Sequence, residues 1–341
     1  MAEDITKMMK HPSALLSFRN KVMEGCSRIT FLITTQDSEP LQFNLSLRKD
    51  TGYTMSEPCD DLVCLAGYRD IYICHPRTLL HILLPPLPTV FPAFYHCKEG
   101  FCKRVGIGFD DSINKYKVVI MDRREYLFNE HEYEYGCWVF TVGSKNASWR
   151  WCPILETTFH VYTKRPVFFN GSMHWLIKPR SYLGNGIILA FDLVLEEFRV
   201  LEHPMCSSWR SKKSRSMRLK VMGGRLSIVV SDEQQEDTAD MVMSKSIFDI
   251  WMVKDYKKVA WEKYMTEIII CHDDPDSEFF TEDVWEEQKL ILSVVSNGEK
   301  TFWKYNMVDE TIETVEFDRK WEFACKRSLY DSAGESLFMW G

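Results

Sequence analysis

The sequence predicts an all-β, β-propeller-like fold of about six four-stranded blades, with a composite closing blade and a short N-terminal helix. Three observations lead there. A strand–turn–strand unit recurs along the chain, helical periodicity is scarce, and the 341 residues exceed the ~250–300 at which one core stops growing. A chain of that length forms two domains or grows by repetition. Its 11 Trp, 14 Tyr and 21 Phe suit a pleated, half-buried surface better than a helix.

The unit is a hydrophobic strand, a polar turn, and a second strand with an aromatic or aliphatic centre. It opens faintly at Ile29–Ile33 with Leu41–Leu45. It returns at Ile71–Thr78 with Leu80–Pro85, and at Trp138–Thr141 with Ser148–Trp151. Ile187–Leu193 with Glu197–Leu201 is the clearest copy; Phe248–Val253 with Val259–Trp261 and Thr301–Asn306 with Glu313–Phe317 follow. Centres near 31, 73, 139, 190, 250 and 303 give a spacing close to the ~40–50 residues of a propeller blade, with loops added. Asn170-Gly171, Gly223-Gly224 and Asn297-Gly298 each divide two such runs, and they supply the positive φ that two-residue hairpins demand. Pro12–Met23 is the best helix candidate, with Leu15, Leu16, Phe18, Val22 and Met23 roughly on one side. The first copy has only two strands, while Leu337-Phe338-Met339 is an apolar strand without a partner at the other end. Joining them near Ile29–Ile33 closes the ring and hides two edges. A pair of β-sandwiches is the alternative.

Composition excludes several functions. A net charge of −7 gives no reason to expect nucleic acid or an anionic membrane as partner. No run approaches the ~18 apolar residues of a spanning helix, and the polar start Met1–Lys10 lacks a secretory h-region. The sequons at Asn44, Asn146 and Asn170 then read as chance matches. Eleven cysteines, an odd number scattered through apolar runs as at Cys64 and Cys74, read as free thiols of a cytosolic or nuclear protein.

No catalytic, cofactor-binding or metal-binding residue is assigned. His96-Cys97 with Cys102 offers three soft ligands without a fourth. G-x-S-x-G, G-x-G-x-x-G and Walker A patterns are missing. His174 alternates with core positions and reads as a hydrogen-bonded structural histidine. Asp192, after Phe191, reads as the organiser of a strand-end turn. A basic run (Arg210, Lys212, Lys213, Arg215, Arg218, Lys220) and an acidic one (Asp273, Asp274, Asp276, Glu278, Glu282, Asp283, Glu286, Glu287) read as solvated loops.

Five segments follow in order: Glu57–Cys64, His75-Pro76-Arg77-Thr78 with Leu84-Pro85, Gly106–Asp110 through Asn114–Val119, Asn170–Leu176, and Leu189–Asp192 with Glu197-Phe198. Together they resemble the F-box-associated domain of plant F-box proteins. Asp60-Asp61 stands where the family often has Asn-Gly, so that turn is expected to change type. The resemblance implies a propeller over residues 26–341 that recognises a target protein for ubiquitination, beside a Skp-type adaptor and cullin. An F-box needs about forty helical residues, so 1–25 is read as a residual F-box tail, and adaptor binding is expected to be weak or lost. A free-standing interaction module is the second reading, and a propeller enzyme the third.

Overall fold

The computed structural model describes residues 14–23, 25–35, 38–48, 53–67, 70–88, 104–125, 133–145, 147–154, 159–161, 165–179, 187–202, 204, 215–238, 241–272, 278–285, 289–296, 299–306, 308–309, 311–315 and 336–340. Its strands begin with β1 (Ala14–Val22), β2 (Cys26–Thr35) and β3 (Ser38–Arg48). A second sheet holds β4 (Thr54–Met55), β5 (Val63–Ala66), β6 (Ile71–Cys74) and β7 (His81–Leu83), and a third β8 (Arg104–Asp110), β9 (Lys115–Glu125), β10 (Tyr133–Thr141) and β11 (Arg150–Pro153). A fourth holds β12 (Phe159–Val161), β13 (Val167–Phe169), β14 (Ser172–Pro179), β15 (Ile187–Asp192) and β16 (Phe198–Glu202). Next come β17 (Arg215–Met222), β18 (Arg225–Thr238), β19 (Met241–Asp255) and β20 (Ala260–His272). The last are β21 (Glu278–Trp285), β22 (Lys289–Ser296), β23 (Glu299–Asn306) and β24 (Ile312–Val315), with β25 (Ser336–Trp340) returning to the first sheet.

These described strands fall into six antiparallel sheets that meander between sequence neighbours, except that β25 pairs with β1 in the first and β12 with β14 in the fourth. The recurring units of the sequence are the third and fourth strands of the sheets. In the fourth sheet the first position is divided, since β12 and β13 both pair along β14.

Closure differs from expectation in its partner. Leu337, Phe338 and Met339 pair with Ser17, Leu16 and Leu15 of β1, not with Ile29–Ile33. Both edges of β2 are already taken, Phe31 lying between Phe18 of β1 and Phe43 of β3. The short N-terminal helix is likewise corrected: Ala14–Val22 is a strand. Leu16, Phe18 and Val22 alternate with Ser17, Arg19 and Lys21, which satisfies a period of two. Pairing with β2 on one side and β25 on the other then decides between that period and the helical one.

The cores lie between successive sheets. Ile29, Phe31, Leu45 and Leu47 pack with Tyr53, Met55, Leu65 and Tyr72. Ile71 and Ile73 share a cluster with Val105, Ile107, Val118 and Trp138. Val119, Cys137 and Val139 meet Met173, Trp175 and Phe191, and Leu176, Ile188 and Ala190 meet Leu219, Leu226 and Ile228. Phe248, Ile250 and Met252 meet Leu290 and Leu292, and β21 touches β25. Each large side chain so buried contributes roughly 1.5–3 kcal/mol. Where sheets approach closely the sequence supplies glycine: a Cβ on Gly108 would lie 2.6 Å from Phe168 Cδ2 and 2.7 Å from Leu193 Cδ1.

Candidate functional site: the turn face

Successive strands of an antiparallel sheet reverse direction, so the turns after its first and third strands leave at the same end. Polar contacts align that end across four sheets. The Tyr116 hydroxyl, at the start of β9, donates to Asp60 Oδ2 in the β4–β5 turn at 2.7 Å. Lys117 reaches the β15–β16 turn, and His174 reaches Tyr256 in the β19–β20 turn. One face is therefore built from tight turns.

Most of the described third-to-fourth-strand turns share one device. Asp192 Oδ1 accepts from Val194 N at 2.8 Å and Leu195 N at 3.0 Å. Asp255 Oδ1 accepts from Lys257 N and Lys258 N at 3.0 and 3.2 Å, and Asn306 Oδ1 from Val308 N at 3.1 Å. His75 takes this place in the second sheet, its Nδ1 accepting from Thr78 N at 3.3 Å. Four residues beyond, Leu79, Glu196 and Val259 adopt φ of 58°, 55° and 53°, the left-handed step that returns a turn into its strand. The Asp60-Asp61 turn departs from the type at Asn170-Gly171 as expected. There both central residues have positive φ (47° and 73°), whereas of the aspartates only Asp60 does, at 52°.

Beneath the turns lies a charge network. Lys117, nearly enclosed, places Nζ 2.8 Å from Asp110 Oδ2 and 2.8 Å from Glu196 Oε1, and donates to the Leu193 carbonyl. Arg150 engages Glu196 through Nη2 and Nε, the latter at 3.1 Å, and donates from Nη2 to Thr141 Oγ1 at 3.1 Å. Burial alone would raise the Asp110 carboxyl; the Lys117 and Ser112 hydrogen bonds and the Lys117 charge outweigh it and hold it below its ordinary value. Glu196 is governed the same way, burial opposing and Arg150 and Lys117 prevailing. Burial, then the Asp60 carboxylate, pushes the Tyr116 hydroxyl up.

His174 is fully buried. Its Nδ1–H donates to the Val167 carbonyl at 3.2 Å, and Nε2 accepts from the Tyr256 hydroxyl at 2.6 Å. Desolvation, with the Arg199 charge adding to it, lowers the imidazole to about 4. Arg199 lies over the Tyr256 ring at 4.6 Å.

While these polar groups satisfy one another, the turn tips expose apolar side chains: Leu80 is 73% exposed, Leu195 67%, Val194 49% and Ile113 47%. Among the described residues no group of three His, Cys, Asp or Glu is placed to hold a metal ion.

The structure thus brings together Asp110, Tyr116, Lys117, Asp192 and Asp60 from separate motifs. Sequence reasoning missed Glu196 and Arg150, which sit 79 and 33 residues from Lys117 along the chain. The charge runs are not wholly loops: Arg215, Arg218 and Lys220 lie in β17, and Glu278, Glu282 and Asp283 in β21. His96, Cys97, Cys102, Asn297-Gly298 and the remaining residues of both charge runs lie outside the described residues.

The family described as "F-box associated beta propeller domain" matches residues 15–333. Among curated proteins of Arabidopsis thaliana, F-box protein At5g10340 is 26% identical over 161 residues, covering 44% of this chain and 34% of its own. F-box protein CPR1 is 25% identical over 217 residues, 58% of this chain and 48% of its own. F-box protein At3g07870 is 26% identical over 230 residues, 60% and 48% respectively. The chain thus spans about half the length of these relatives or less. Among solved structures, the β-propeller domain of the Trilobed protease from Pyrococcus furiosus has a TM-score of 0.41 at 10% identity, covering 88% of this chain and 79% of that one.

Proposed function

Because this chain belongs to the F-box-associated β-propeller domain family, whose members are protein-interaction modules, we propose that it recognises a target protein on the turn face. In the F-box context the target would be presented for ubiquitination through a Skp-type adaptor and cullin. The observation that carries this reading is the division of labour at that face. The buried charges are spent on one another, while Leu80, Ile113, Val194 and Leu195 project from turns held by side-chain acceptors. Apolar side chains on rigid turns lose little freedom on binding, which favours protein recognition. We read the chain as a binding module and not as an enzyme, since the polar side chains described at the face serve its own turns.

Proximity labelling in the native tissue, followed by cross-linking of the enriched proteins to purified chain, tests this reading. It predicts a recurrent protein partner whose cross-links fall on the turns after first and third strands. Cross-links confined to the opposite ends of the sheets would overturn the face assignment. Skp-type adaptor and cullin among the labelled proteins would support the ligase role, and their consistent absence beside a recurrent target would contradict it.

A further inference from the structure

Cys137 and Cys152 are Cα partners on β10 and β11, and in the described registers no other two cysteines stand directly opposite each other. The parity of the ladder fixes their geometry. Ile154 N donates to Tyr135 O at 2.7 Å, so the 135/154 pair is hydrogen-bonded, Gly136/Pro153 is not, and Cys137/Cys152 is hydrogen-bonded again. Pro153, which has no N–H to donate, fits the intervening position. A hydrogen-bonded pair separates its Cα atoms by ~5.5 Å, within the ~4.4–6.8 Å that a disulfide spans, and its Cβ atoms, up to ~5.5 Å apart, draw in to ~3.5–4.5 Å as the bond forms. Both side chains also face one core, since Cys137 is a buried member of the cluster against which the half-buried Cys152 packs.

We propose that Cys137 and Cys152 form a reversible dithiol/disulfide site that takes hydrogen peroxide or a related peroxide as its oxidant. Cys152 is the attacking residue because it alone of the two is partly open to solvent. Its surroundings favour the thiolate: the Cys137 S–H hydrogen bond lowers its pKa, and the Arg150 and Lys117 charges add to that against burial and the Glu196 carboxylate. Burial pushes Cys137 up, so it stays a thiol. A thiolate in such a setting reacts first. The Cys152 sulfur attacks a peroxide oxygen, the O–O bond breaks, and hydroxide leaves a sulfenic acid behind. The Cys137 sulfur then attacks the Cys152 sulfur, the S–O bond breaks, and water carries away the oxygen and the Cys137 proton. Two thiols lose two electrons, and one peroxide becomes two waters. The bond staples β11, a four-residue edge strand, to β10, and so fixes Arg150 against Glu196 of the neighbouring sheet.

The test uses the purified full chain, reduced and then treated with hydrogen peroxide without denaturant, with peptides mapped under non-reducing conditions. The expected result is a Cys137–Cys152 linked peptide, lighter by two hydrogens and restored by dithiothreitol, forming before any other cysteine is oxidised. In C137S the reaction should stop at the sulfenic acid, so that dimedone labels Cys152, which in wild type it does not. In C152S, Cys137 should remain unlabelled. Recovery of both peptides unlinked while other cysteines oxidise, or a link formed only after unfolding, would overturn the proposal. The wild-type map decides even if a variant fails to fold.

Discussion

Lys117 carries its charge inside the protein, between a carboxylate 2% exposed and a second 23% exposed on the next sheet. Taking two charges from water costs as much as their attraction returns, yet removing one partner strands the other. Lys117→Met should therefore cost about 3–5 kcal/mol, read as a lower urea midpoint; an unchanged midpoint would mean that Asp110 finds water or another partner. His174 adds a pH dependence. Its folded pKa of about 4 lies below the ordinary 6.5, so the unfolded chain binds more protons between those values. Its contribution is complete above about pH 6.5 and is lost as pH falls toward 4. The low carboxyls of Asp110 and Glu196 lose theirs on further acidification. Urea midpoints should fall between about pH 7 and about pH 5, and His174→Gln should flatten that slope; an equal slope in the variant would place the titration elsewhere.

Turns and strands were legible to different degrees, for physical reasons. Asn170-Gly171 and Gly223-Gly224 announce themselves, because few other residues accept positive φ in succession, and both join hairpins. Asp192 and His174 were legible from local position, one at a strand end and the other in strict alternation. β1 was not, because Leu15, Phe18 and Val22 also fit a helical period and the strand's second partner, β25, is over three hundred residues away. The Lys117 network was illegible for the same reason of distance. Two glycines now separate two causes. At Gly171 a Cβ would meet nothing within 4 Å, but φ is 73°; Gly171→Val should cost more than ~1 kcal/mol through backbone strain alone. At Gly108 the obstacle is Phe168 at 2.6 Å, so Gly108→Ala should lower stability by crowding, and Phe168→Ala should partly rescue it. Without that rescue, the close-approach account of Gly108 would be wrong.

At the scale of the whole molecule, stability and recognition both depend on the ring. Removing 336–341 deletes the five-residue ladder on β1 and reopens an edge; Tm should fall by roughly 5 °C or more. An unchanged Tm would mean that β25 does not hold the ring closed. On the proposed reading, recognition rests on the exposed turn tips of that ring. The most direct measurement compares target capture by three full-length proteins: wild type, the double variant Ile113→Asp with Leu195→Asp, and Glu202→Lys. Glu202 is exposed at the opposite end of β16. The account predicts that the double variant keeps the wild-type Tm but loses the target, while Glu202→Lys retains it. Retention by the double variant with loss in Glu202→Lys would contradict it.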